Sequence, residues 1–273
     1  MVKPDAAPVQ EKLSVADTDP DEWKQLSIIR ASLKTTQHFF GAFEDLFRPV
    51  HDPRHPELIT YPLAAMGFTG VWMFLCRLGA RRQISHLLRG NGPSAAKFRA
   101  LFGVESCPHG DTVNTLYSRL TPGEVQEVVS RMIATLIRKK VLSRYRLLEH
   151  YFKIAMDGTG RLTFPERHCA HCLTQTHNGR TTYSHPVLEA KLVKANGLAF
   201  SVMTEFIENP GENPTKQDCE LKAFYRLADR LKQRFPRLPI CLLLDGLFAG
   251  GPTFALCEQY HWKYLVVLTE DDL

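Results

Sequence analysis

The sequence predicts an α/β protein in which a helical N-terminal half precedes a mixed β-sheet covered by helices. Apolar residues recur at helical spacing from Trp23 to Leu142, and near residue 151 the pattern changes to strand-like runs. Two of those runs, Phe152–Gly158 and Pro239–Gly246, each lead from apolar residues into an Asp-Gly pair. The predicted plan is a tail over 1–22, a helical and possible DNA-binding domain over 23–150 and a sheet domain over 151–273.

A single helix is expected from Trp23 to Phe47, with Leu26, Ile29, Leu33, Phe40, Phe43 and Phe47 on its apolar stripe. Helices follow at Leu63–Leu78, Gln83–Leu88, Ala95–Phe102, Thr112–Leu120 and Pro122–Leu142. Thr121 as cap and Glu124 three residues later make a capping-box start for the last of these. Short helices joined by tight turns suit a helix-turn-helix DNA reader or a plain bundle. Beyond residue 151 the expected order is strand 152–156, a Cys/His-rich loop, strands 187–193 and 198–206, helix 216–235, strand 240–244, helix 253–260 and strand 264–268. Asn196-Gly197 marks a hairpin, and Pro236 ends a helix whose stripe reads Cys219, Phe224, Leu227 and Leu231.

A hydrophobic content of 44% with 23% charged residues excludes disordered and collagen-like classes and indicates a soluble globular chain. Between Arg77 and Arg99 stand Arg77, Arg81, Arg82, Arg89, Lys97 and Arg99 with no acid among them. A second basic stretch holds Arg131, Arg138, Lys139, Lys140, Arg144 and Arg146. Such clusters suit a polyanion such as DNA, or are solvated helix faces. Seven cysteines, an odd number, without a secretory leader predict a reducing, cytoplasmic setting. Residues 1–24, rich in Pro, Asp and Glu, read as a tail. Leu58 to Cys76 lacks charge, but Pro62, Gly67 and Gly70 interrupt it, so a buried helix is expected and no membrane span.

An aspartate at the end of a buried strand is held rigidly at the rim of a sheet. Two on neighbouring strands can share divalent cations and aim them at a phosphate. Taken singly, Asp-Gly after a strand is ordinary turn chemistry. The order of elements changes that balance. Met156-Asp157-Gly158-Thr159-Gly160, Tyr183-Ser184-His185-Pro186-Val187-Leu188, Lys216-Gln217-Asp218-Cys219-Glu220 and Leu244-Asp245-Gly246 together resemble DDE-type insertion-sequence transposases, whose catalytic domain is ribonuclease H-like. The resemblance covers residues 60 to the end and is strongest after residue 150. It implies Asp157 and Asp245 as the first two catalytic acids, Mg²⁺ or Mn²⁺ as cofactor, DNA bearing terminal inverted repeats as partner, and a homodimer. The family's third acid is a glutamate on a helix after the fifth strand. Glu270, Asp271 and Asp272 lie too close to the last strand for that role, so a partial ribonuclease H-like domain, inactive as given, is expected. Two alternatives stay open: a non-catalytic DNA-binding remnant, and a nuclease using Asp157, Glu220 and Asp245, in which Glu220 falls on the first helix as in cellular ribonucleases H.

Cys169-x2-Cys172 followed by His177 matches the first three ligands of a zinc knuckle. Thr182 occupies the fourth position, for which His185 or His168 are the substitutes. Ordinary loop thiols and histidines are the other reading of this segment.

Overall fold

A computed structural model describes residues 20–78, 80, 82–84, 92–211 and 216–268, side chains of 20–22 and 160–162 excepted. Residues 1–19 of the predicted tail, residues 85–88 of the helix expected at Gln83–Leu88, Arg81, Arg89 and the acids at 270–272 lie outside the described residues, while residues 20–22 of that tail are helical. The chain forms two compact units, residues 1–125 and 126–273. The division falls inside a helix, not at the expected 150/151. Ile133, Leu142 and Tyr145 are buried in the core of the sheet unit, which draws residues 126–150 into it.

The first unit contains α1 (Pro20–Phe40), α2 (Phe43–Phe47), α3 (Leu63–Leu75), α4 (Pro93–Phe102), α5 (Gly110–Tyr117) and the start of α6 (Pro122–Arg138). The single helix expected over 23–47 is broken at Gly41, whose φ of 92° is open to glycine at little cost. The core joins Ile29, Phe68, Trp72, Phe98 and Phe102, with the Phe68 ring edge-on to Trp72 at 5.6 Å. Burial of these aromatic rings supplies most of what holds so small a unit together. The uncharged 58–76 stretch becomes the 13-residue α3, about 20 Å long and well short of the roughly 30 Å of a bilayer core. No described helix is long and apolar enough to cross a membrane. The glycines that diluted the stretch have a packing reason. A Cβ at Gly67 would strike the Phe47 ring, and one at Gly70 would strike the Tyr117 hydroxyl, which donates to the Met66 carbonyl at 2.9 Å. The capping box does not form as expected: Glu124 accepts the His51 backbone N–H at 2.9 Å.

The second unit holds β1 (Arg146–Leu147), β2 (Tyr151–Phe164), β3 (Leu173–His177), β4 (Arg180–Val193), β5 (Ala199–Phe206), α7 (Glu220–Arg234), β6 (Ile240–Asp245), α8 (Gly251–Tyr260) and β7 (Lys263–Val267). They build one mixed, seven-stranded sheet. β5, β4 and β2 form an antiparallel meander, and β6 and β7 continue the sheet in parallel from β2. β3 pairs with the start of β4, in the segment expected to be loop. The two crossovers pass through α7 and α8, as parallel neighbours require. Burial alternates along β2: Phe152, Ile154 and Met156 are buried and pack in one core with Phe224, Leu227 and Leu231 of α7. α7 begins at Glu220 rather than Lys216, so Cys219 is its exposed N-cap residue and not part of the buried stripe.

Candidate metal sites

β2 and β6 run parallel, with Phe152 opposite Ile240 and Ala155 opposite Leu243. Carried two residues further, that register sets Asp157 opposite Asp245, on strands about 5 Å apart. Both are exposed, and by strand alternation both lie on the face opposite to α7. Asp245 ends its strand as expected, and its Oδ1 accepts the Leu247 N–H at 3.1 Å, which fixes the carboxylate at the sheet end. Asp157 does not end its strand. β2 continues to Phe164 alongside β4, and only the parallel pairing to β6 stops at Ala155.

The antiparallel register brings in an acid that sequence reasoning missed. Glu189 of β4 lies directly across from Asp157 on the same face, its side chain 17% exposed and paired with Lys191 at 2.9 Å. Like charges facing each other across a ladder repel, and the Lys191 ammonium offsets part of that. The alternating run Val187 to Leu192 was the available signal, but only the cross-strand register shows what it faces.

Gly158 makes no turn. A Cβ there would sit 2.5 Å from Oε1 and 2.7 Å from Cδ of Glu220, so the glycine admits that carboxylate against the strand backbone. Glu220 therefore approaches from the α7 face, one residue along from Asp157. Among the described residues, no three carboxylates bring an oxygen each within 4.8 Å of one another.

The segment before Glu220 is tied down by side chains. Gln217 pairs with the Thr174 backbone on both sides, accepting its N–H at 2.6 Å and donating to its carbonyl at 2.8 Å. Asp218 receives Arg226 at 2.7 Å, and Arg226 also reaches Glu205 at 2.7 Å. Burial works against the Asp218 carboxylate, yet the Arg226 hydrogen bonds and nearby backbone N–H groups hold its pKa below the ordinary value.

A second group is softer. Cys169 Sγ, Cys172 Sγ and His185 Nε2 lie 3.1 to 3.8 Å from one another. The expected ligand His177 is not among them. It sits at the tip of the β3–β4 hairpin opposite Arg180, while Leu173 pairs with Ser184, so the ladder brings Cys172 beside His185. His168 packs edge-on against Phe164 at 4.2 Å, outside the group. Burial disfavours the Cys172 thiolate. Hydrogen bonds from the backbone N–H groups of Cys169 and His168, with Arg167 nearby, nonetheless hold its pKa below the ordinary thiol value.

Of the predicted DNA contacts, Arg77, Arg82 and Lys97 are exposed and Arg99 is partly buried. In the second basic stretch Arg131 pairs with Glu127 at 2.8 Å, and Arg144 and Arg146 lie over the rings of Tyr145 and Phe152. Neither a scan against protein-family models nor a search of curated proteins matches the chain.

Proposed function

We propose that the chain is a DDE-type insertion-sequence transposase, or a DNA-binding derivative of one, with a ribonuclease H-like second unit acting on phosphodiesters at element ends. The observation that carries this reading is the placement of Asp157 and Asp245 on one face of adjacent parallel strands. The strand order, a three-stranded meander extended by two helical crossovers, supports the fold assignment. A cytoplasmic setting, DNA with terminal inverted repeats as partner and a homodimer that pairs two ends belong to the same reading.

The donors fit hard divalent cations in kind, being exposed carboxylate oxygens on adjacent strands, but among the described residues no third carboxylate joins them. Asp157 and the outer oxygen of Asp245 would hold the ion. Mg²⁺ or Mn²⁺ there supplies neutralisation of charge on the phosphate oxygens and activation of the nucleophile. In the cleavage step a water oxygen bonds to phosphorus and the P–O3′ bond breaks, and the departing 3′ oxygen takes up a proton. In strand transfer the oxygen of that 3′-hydroxyl bonds to a phosphorus of a second strand, a P–O3′ bond of that strand breaks, and the proton of the attacking hydroxyl passes to the departing 3′ oxygen. The softer donors Cys169, Cys172 and His185 suit a structural Zn²⁺.

Calorimetric titration with Mn²⁺ tests the placement. The wild-type chain is expected to bind weakly and saturably, and Asp157→Asn or Asp245→Asn to abolish binding with the circular dichroism spectrum unchanged. Binding that survives both substitutions rules the reading out.

The Glu220 contact with Gly158 favours a second reading, a ribonuclease H-like nuclease using Asp157, Glu220 and Asp245. It predicts cleavage of RNA–DNA hybrid that falls by at least about 100-fold in Glu220→Gln, the scale of losing one acid–base or ligand group. A wild-type chain that leaves hybrid intact excludes it.

A further inference from the structure

The Cys169, Cys172 and His185 group has the dimensions of a metal cage. A tetrahedral Zn²⁺ with Zn–S near 2.3 Å and Zn–N near 2.05 Å has edges of about 3.8 Å between sulfurs and about 3.5 Å from sulfur to nitrogen. The structure gives 3.8 Å between the sulfurs and 3.4 and 3.1 Å from them to Nε2. The sulfurs are too far apart for a disulfide, and both cysteines are free. The backbone N–H of His171 also points at Cys169 Sγ, at 3.4 Å, a donor that favours a ligating thiolate.

The cage is wired to the start of α7 through one buried side chain. Asn209 is 2% exposed. Its Nδ2 donates to the Cys172 carbonyl at 2.9 Å, and its Oδ1 accepts the Asp218 N–H at 3.1 Å. Its own backbone joins the same loop twice: the N–H donates to the His171 carbonyl at 3.0 Å, and the carbonyl accepts from His171 Nδ1 at 2.8 Å. Asp218 stands two residues before Glu220, whose carboxylate rests on Gly158.

We propose that Cys169, Cys172 and His185 form a Zn²⁺ site whose ion fixes, through Asn209, the segment that delivers Glu220 to β2. Two thiolates and an imidazole would fill three positions of a tetrahedral Zn²⁺. A bound ion would hold the loop around Cys172, whose carbonyl accepts from Asn209 Nδ2, and Asn209 Oδ1 in turn accepts the Asp218 N–H. Any catalytic use of Glu220 rests on the nuclease reading; the zinc site and its hold on the α7 start do not.

Metal analysis and amide hydrogen exchange on the whole chain, purified without chelator, test the two links separately. The wild type is expected to carry one Zn²⁺ per chain, and Cys172→Ser to lose it. Co²⁺ exchanged into the wild type should show thiolate charge-transfer absorption. Chelation of the wild type should speed exchange across residues 216–222 by about tenfold or more, the signature of local opening. Asn209→Ala should keep its zinc and show the same acceleration with the ion bound. A wild type that neither carries zinc nor takes up Co²⁺ with that absorption overturns the site. Exchange at 216–222 that is unchanged by chelation, or unchanged in Asn209→Ala, overturns the coupling.

Discussion

Raising NaCl from about 50 to about 200 mM should weaken binding of the chain to element-end DNA by roughly 100-fold. That is the loss expected when four phosphate contacts, each contributing about 0.9 to the log–log slope, stop releasing counterions. Arg77, Arg82 and Lys97 are exposed and free of nearby acids in sequence, so they are the groups best able to make such contacts. Replacing both Arg82 and Lys97 with alanine should lower the slope by about 2 and weaken all sequences alike, because phosphate contacts position without specifying. Fluorescence anisotropy at several salt concentrations measures both effects. A flat salt dependence, or a slope untouched by the double substitution, would leave the first unit a plain helical bundle with a solvated basic face.

No Mg²⁺- or Mn²⁺-dependent nicking or joining of end-bearing DNA is expected from this chain. Two carboxylates on neighbouring strands can attract a cation, but among the described residues no third carboxylate is gathered with them. Under-coordinated ions bind weakly and cannot clamp both the attacking and the leaving oxygen of an in-line displacement. The deficit should be all or none on a gel, since losing one ligand of a two-metal site removes most of its transition-state stabilisation. Glu189 and Glu220 are the acids best placed to overturn this expectation, one across the ladder from Asp157 and the other against Gly158. Robust nicking that vanishes in Asp157→Asn would show that a third ligand exists within the chain. Comparing Glu189→Gln with Glu220→Gln would then identify it.

Several features were legible in advance because they are written in short-range patterns. The uncharged run before Asp245 identified a strand buried on both faces, and in β6 Ile240, Cys241, Leu242 and Leu244 are buried. Asn196-Gly197 identified the β4–β5 hairpin, with Gly197 at a φ of 83°. Helical spacing identified α7 and α8 to within a few residues. Other features depended on register, which a one-residue shift inverts and which no local pattern states. β3 was hidden in a stretch of threonines, cysteines and histidines because a polar edge strand lacks the apolar alternation that announces a buried one.

The amino-acid sequence alone determined the α/β class of the protein, the order of most of its elements and the neighbourhood of Asp157 and Asp245, since periodicity and parallel crossovers leave few arrangements for such a string. Tertiary structure alone decided which groups meet. Ladder register exchanged His177 for His185 beside the thiols and set Glu189 across from Asp157. The missing side chain at Gly158, which reads in sequence as a turn, proved to be room for Glu220. Asn209, unremarked in the sequence, became the buried joint between the cysteine loop and α7. Each of these is a contact between segments distant in the chain, and contacts of that kind follow from how strands and helices pack rather than from the residues on either side.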